Sequence, residues 1–192
     1  MNKRFSTITL TLCALFTALT AIGAFIQIPV PGMDYFTLQT LFVLLAGMLL
    51  GSKLGALSVT VYVLIGLAGV PIFAAGGGIT YVVRPSFGYL LGFIAGAFVT
   101  GFIAEKLHAR LLRHYLLATY AGLLVIYVIG IAYKYLMLNL YVGEKTALVM
   151  VFLDCFPLDL PGDLVLSLIG ATLSVRLRPA LASIVPTLNK DR

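Results

Sequence analysis

The chain has 192 residues, of which 61% are hydrophobic and 10% charged. A soluble domain carries about 45–50% apolar and about 25% charged residues, so a soluble globular fold is excluded and a lipid bilayer is the solvent that fits. The net charge of +6 does not mark a nucleic-acid binder, because the cations fall between apolar runs, where membrane topology accounts for them.

A spanning helix needs roughly 20 apolar residues. The first candidate runs from about Ile8 to Pro29 behind Lys3 and Arg4. Its apolar stretch is too long for an ordinary signal peptide, so it is read as a mature helix. Thr7, Thr11, Ala14, Ala18 and Ala21 lie near one of its faces. Small residues let helices approach closely, either within this chain or against another membrane subunit. The second candidate runs from about Phe36 to Leu50 and the third from about Leu54 to Val70, with Gly51-Ser52-Lys53 as a tight turn between them. The fourth spans about Phe87 to Ala104, and the fifth about Leu116 to Leu140. A piece from Ala147 to Phe156 is too short to span and is read as re-entrant or interfacial. The sixth starts near Pro161 and ends before Arg176. Cys13 and Cys155 show no metal-ligand spacing, and His108 and His114 fall in a basic stretch read as a solvated loop.

The expected architecture is thus an all-α integral membrane protein: a single domain of six transmembrane helices in the plasma membrane. Charge sets its orientation. With both termini cytoplasmic, ten of the thirteen cations fall inside: Lys3, Arg4, Lys53, Lys106, Arg110, Arg113, Arg176, Arg178, Lys190 and Arg192. Lys and Arg favour the cytoplasmic side, and Arg84, Lys134 and Lys145 are the exceptions. Five of the seven acids, Asp34, Glu144, Asp154, Asp159 and Asp163, fall outside. The long irregular connections also fall outside: Pro29 to Tyr35, Val70 to Ser86 and Tyr141 to Pro161. Irregular backbone at membrane depth must be buried in protein or face a watery cavity, so a ligand pocket open to the outside is expected.

Ionisable residues near spans are functional candidates. Asp163, after Pro161-Gly162, suits either a helix cap or an acceptor for ligand N–H groups. Pro161-Gly162 is read as interrupting any helical face shared by Asp159 and Asp163, which argues against a paired-carboxylate enzyme. Arg84, before Pro85, suits a ligand carboxylate or lipid headgroups. Lys134 sits within the fifth span between Tyr133 and Tyr135. Gln39 lies one turn into the second span, where a buried amide needs partners. Gly76-Gly77-Gly78 lacks the strand, the GKS or GKT and the helix start of a phosphate loop and fits a lid loop better. No Walker, HExxH or GxSxG motif occurs, so no ATPase or other enzyme is expected from this chain.

Together these stretches resemble the BioY family, the biotin-specific S components of energy-coupling factor (ECF) transporters. The matching segments are Phe36-Thr37-Leu38-Gln39-Thr40, Gly66 to Phe73, Gly76-Gly77-Gly78, Pro85 to Phe93, and Pro161-Gly162-Asp163-Leu164, in the expected order over nearly the whole chain. The resemblance implies six helices, an outward-facing biotin pocket without a cofactor, and energy from a transmembrane coupling protein and two ABC-type ATPases. The spacing of Ala14 and Ala18 looks like the motif by which S components dock on that coupling protein. Asp163 and Gln39 match the ureido ring of biotin, and Phe73, Tyr81 and Tyr133 its apolar parts, with Gly77 in the lid. Family members often carry Lys after the Gly-Asp pair, where this chain reads Leu164-Val165-Leu166, and a small residue where it has Arg84. Arg84 or Lys134 could hold the ligand carboxylate instead. Another small vitamin, or transport by this chain alone, are the alternative readings.

Overall fold

The computed structural model describes residues 7–29, 35–143, 145–153 and 159–184. Lys3, Arg4, Asp34, Glu144, Asp154, Cys155, Lys190 and Arg192 lie outside the described residues. The elements run α1 (Thr7–Phe25), β1 (Gln27–Pro29), β2 (Tyr35–Thr37), α2 (Gln39–Leu50), α3 (Ser52–Leu67), a 3-10 turn (Ile79–Val83), α4 (Phe87–Lys106), α5 (Leu112–Leu136), a π-helical extension (Met137–Val142), α6 (Leu148–Leu153) and α7 (Asp159–Ile184). Among the described residues, four helical stretches are long and apolar enough to cross a membrane: Thr7–Phe25, Phe87–Lys106, Leu112–Val142 and Asp159–Leu181. Helices α2 and α3 are apolar but shorter. Large apolar side chains such as Leu15, Ile22, Leu64, Leu124, Val128 and Leu168 point out of the bundle. An exterior of this kind is solvated by lipid chains, and the molecule is a helical membrane protein.

Helix α2 forms the axis of the bundle. Every one of its residues except Phe42 is buried, and it packs against α1, α3, α4, α5 and α7. A helix apolar on all sides is stable only when neighbours enclose it.

Several boundaries differ from the hydropathy reading. Helix α1 stops at Phe25 instead of reaching Pro29, and residues 27–29 pair antiparallel with 35–37 in the register Gln27↔Thr37, Ile28↔Phe36, Pro29↔Tyr35. The β-branched Ile26 and Ile28 favour extended backbone, and Pro29 cannot continue a helix. Helix α2 accordingly starts at Gln39, three residues after the expected Phe36. Helix α7 starts at Asp159 and continues through Pro179 to Ile184. Pro161 falls in its first turn, where a backbone N–H has no partner within the helix, so the missing donor costs little. Asp159 and Asp163 are therefore one turn apart on a continuous helix, and the expected interruption between them is overturned. His114, expected in a loop, is a half-buried residue of the first turn of α5.

The end of the bundle holding the α2–α3 turn is closed by close backbone contacts. Gly51 turns the chain with φ +86°, a conformation that glycine adopts without strain. The Ser52 backbone N–H and hydroxyl each donate to the Glu105 carboxylate at 2.8 Å. Gly101 lies directly against the Ser52 backbone, leaving no room for a β-carbon. The Tyr115 hydroxyl donates to the Ala109 carbonyl at 2.9 Å, fastening the connection between α4 and α5.

Candidate functional site

At the opposite end the helices splay around a cavity of about 90 Å³. The hairpin contributes Tyr35, Phe36 and Thr37, the N-terminal turn of α2 Gln39 and Thr40, and the α3–α4 connection Ala74, Ala75 and Tyr81. Ser86, Tyr89, Leu90 and Phe93 line it from α4 and its entry, Ile126 and Tyr127 from α5, and Asp159 and Asp163 from α7. The walls are mainly apolar and aromatic, with a few convergent polar groups, as small-molecule sites usually are.

Asp163 is 7% exposed. Its Oδ2 accepts a hydrogen bond from the Tyr127 hydroxyl at 3.0 Å, and the buried Thr40 faces the same carboxylate. Its Oδ1 is buried without a hydrogen-bond partner. Such an acceptor costs about 1–3 kcal/mol, or more when charged, unless a donor reaches it. Asp163 lies in the second turn of α7, so it does not cap that helix.

Gln39 is 3% exposed and belongs to a relay. Its Nε2 donates to Tyr62 Oη at 2.7 Å, and Tyr62 Oη donates to the Ile72 carbonyl at 3.0 Å. The Thr37 hydroxyl donates to Gln39 Oε1 at 3.3 Å. The amide has a second N–H to offer. The relay joins the start of α2 to the α3–α4 connection, whose Ala74, Ala75 and Tyr81 line the cavity.

Of the residues expected to bind ligand, Gln39, Tyr81 and Asp163 are brought together in the lining. Phe73, fully buried, packs behind Tyr81 with ring centroids 4.6 Å apart and edge-on to Tyr62 at 5.5 Å. Gly77 lies against the Val70 carbonyl at the end of α3, and the next residue, Gly78, donates to the Gly66 carbonyl at 2.8 Å. Tyr133 donates to the Val82 carbonyl and meets Phe87 at 5.8 Å, holding the 3-10 turn from outside the lining. Arg84 is exposed, with its guanidinium 5.3 Å from the Tyr81 ring centroid. Lys134 is half-buried on α5 and does not line the cavity. Ala14 and Ala18 are both exposed on α1, whose buried face instead carries Thr9, Cys13, Phe16, Thr17 and Thr20.

The sequence reading missed Tyr127, Tyr62, Tyr89 and Thr40 and discounted Asp159 as a partner of Asp163. The available signal was a hydroxyl inside an apolar span, which must find a partner there. Among the described residues, no group of three or more His, Cys, Asp or Glu side chains is arranged to hold a metal ion.

The BioY family model matches residues 1–183. The chain is 44% identical over 177 residues to the "Probable biotin transporter BioY" of Lysinibacillus sphaericus, covering 92% of this chain and 90% of that one. It is 47% identical over 131 residues to the "Biotin transporter BioY" of Thermotoga maritima, covering 68% and 73%. Among solved structures, it matches the S-component for biotin from an ECF-type ABC transporter with a TM-score of 0.80 at 26% identity, covering 93% of this chain and 95% of that one. The chain belongs to the BioY family, a family of transporter components and not of enzymes.

Proposed function

We propose that this BioY-family chain is the substrate-binding S subunit of an ATP-driven vitamin importer, and that its cavity captures biotin from the extracellular side. The observation that carries this reading is the buried Asp163 carboxylate, which has a partnerless Oδ1 and lines an aromatic-walled cavity together with Gln39. Biotin's ureido ring offers two N–H donors and one carbonyl. Asp163 Oδ1 accepts from the ring, and the remaining Gln39 N–H donates to its carbonyl. The fused ring and valeryl chain lie along Tyr81, Tyr89 and Phe93. The relatives, two biotin transporters and an S-component for biotin, support the same ligand.

The ligand carboxylate needs a cation. Arg84 is favoured over Lys134, because it is already held against the ring of Tyr81, a wall residue. The α3–α4 connection with Gly77 acts as the lid, Phe73 and Tyr133 bracing it from behind. In this reading helices α1 to α5 and α7 lie in the plasma membrane as one domain, both termini cytoplasmic and the cavity outward. The exposed Ala14 and Ala18 form a smooth strip on which a transmembrane coupling protein, driven by two ABC-type ATPases, docks. No cofactor is needed.

Titration of the purified protein with biotin in detergent tests the reading. Tight binding is expected, with other vitamins failing to compete, and Asp163→Asn should weaken it by roughly 100-fold. Absence of biotin binding by the intact protein would refute it. Arg84→Ala should weaken biotin roughly tenfold while leaving biotin methyl ester unaffected. The same pattern from Lys134→Ala would move the assignment to Lys134.

A further inference from the structure

We infer that Tyr127 is a positioning residue that makes Asp163 a one-sided acceptor, and so sets which nitrogen of the ligand must carry a hydrogen. The inference rests on the biotin reading above and deepens it. A carboxylate can accept at two oxygens, and its terminal torsion is broad and two-fold, so an unrestrained Asp163 would present either oxygen to a ligand. Tyr127 removes that freedom. Its single hydroxyl proton goes to Oδ2 at 3.0 Å, from a different helix. The donor itself is held, because Tyr127 is only 7% exposed and Tyr89 meets its ring edge-on at 6.1 Å. With that proton spent on Oδ2, Tyr127 has none to give the ligand. Asp163 lines the cavity, and its other oxygen, Oδ1, is buried without a hydrogen-bond partner.

A cyclic urea has two N–H groups that are chemically alike but differently placed. A carboxylate with one oxygen available takes one of them, so the two ring nitrogens are no longer equivalent to the protein. Removing the Tyr127 hydroxyl leaves Thr40 as the remaining neighbour of the carboxylate, loosens its orientation and narrows the difference between the two nitrogens. The phenyl ring of the Tyr127→Phe variant keeps the contact with Tyr89.

The test uses two biotins, each methylated on a different ureido nitrogen, titrated against the full-length protein in detergent. The unmodified protein should bind biotin tightly and separate the two methylated forms by roughly tenfold or more, the weight of one hydrogen bond to a charged group. Tyr127→Phe should bring the two forms to within about threefold of each other. An unchanged preference in Tyr127→Phe overturns the inference, including the case where all three ligands weaken equally, as a purely structural role requires. Failure of the unmodified protein to separate the methylated forms also overturns it, while the biotin reading stands. Failure to bind biotin at all removes both. Should Tyr127→Phe not fold, the double variant with Asp163→Asn, which removes the unpartnered charge, is compared with Asp163→Asn alone. Equal residual biotin affinity is expected, since Tyr127 acts through Asp163; a further loss overturns the inference.

Discussion

The two ends of the helical bundle place their carboxylates in different settings. At the α2–α3 turn, the Glu105 carboxylate takes both hydrogen bonds from Ser52, the Tyr115 hydroxyl reaches Ala109, and Gly101 brings two helices into backbone contact. At the cavity end the helices part, and Asp163 holds an oxygen without a partner. The difference teaches where this fold spends its order. A glycine-packed end with a hydrogen-bonded carboxylate fixes the helix axes, so that the other end can hold an unsatisfied carboxylate in a set position. Interiors pack closely enough that this rigidity is transmitted along the helices.

If the ends divide labour in this way, variants at one should move stability and variants at the other affinity. The largest effect is expected from Gly101→Val. Its side chain meets the Ser52 backbone, which cannot yield, so a loss of about 3 kcal/mol or failure to recover folded protein is expected from thermal melts in detergent. Normal melting would show that the closed end is not tightly specified. Next is Tyr62→Phe, which breaks the relay from Gln39 to the Ile72 carbonyl. A loss of about 1–2 kcal/mol should appear as biotin binding weakened roughly tenfold, mainly through faster release in a dissociation assay. A fall in melting temperature with unchanged release would move Tyr62 to the structural side of the comparison. The smallest is Glu105→Ala, worth about 1 kcal/mol as the loss of a helix N-terminal partner. It should lower the melting temperature a few degrees and leave biotin affinity unchanged, and a change in affinity would break the division.

The legible part of the fold was its hydropathy. Apolar runs located each long helix, and Gly51-Ser52-Lys53 marked the turn that the structure places between α2 and α3. Gln39, Tyr81 and Asp163 stood out as polar or aromatic residues at the edges of those runs, and all three line the cavity. The hairpin was hidden because Ile26 to Pro29 prolongs the apolar run of α1, and hydropathy cannot distinguish a short strand from a last helical turn. Tyr127 and Tyr62 were hidden for a related reason. Each is one hydroxyl within a long apolar helix, and its partner comes from another helix or a distant carbonyl that no local pattern names. Asp159 was discounted because Pro161-Gly162 reads as a breaker, whereas a proline in the first turn of a helix is harmless. Gly162 does have a physical role: the Phe36 ring lies against it, so the hairpin can close over the start of α7.

The shortness of α2 bears on how the protein is made. Twelve residues rise about 18 Å, against a hydrocarbon thickness of ~30 Å. Helix α2 therefore cannot hold a place in the bilayer by itself, although it later becomes the axis that every long helix touches. It has to enter together with α3 as a hairpin folded at Gly51, and only the later arrival of α4 supplies Glu105 to cap that hairpin. In a membrane-insertion assay, residues 39–50 alone should fail to integrate, while 39–67 should be retained as a pair; integration of the shorter segment would contradict this order. The most enclosed helix of the bundle is then the one whose membrane position depends most on its neighbours.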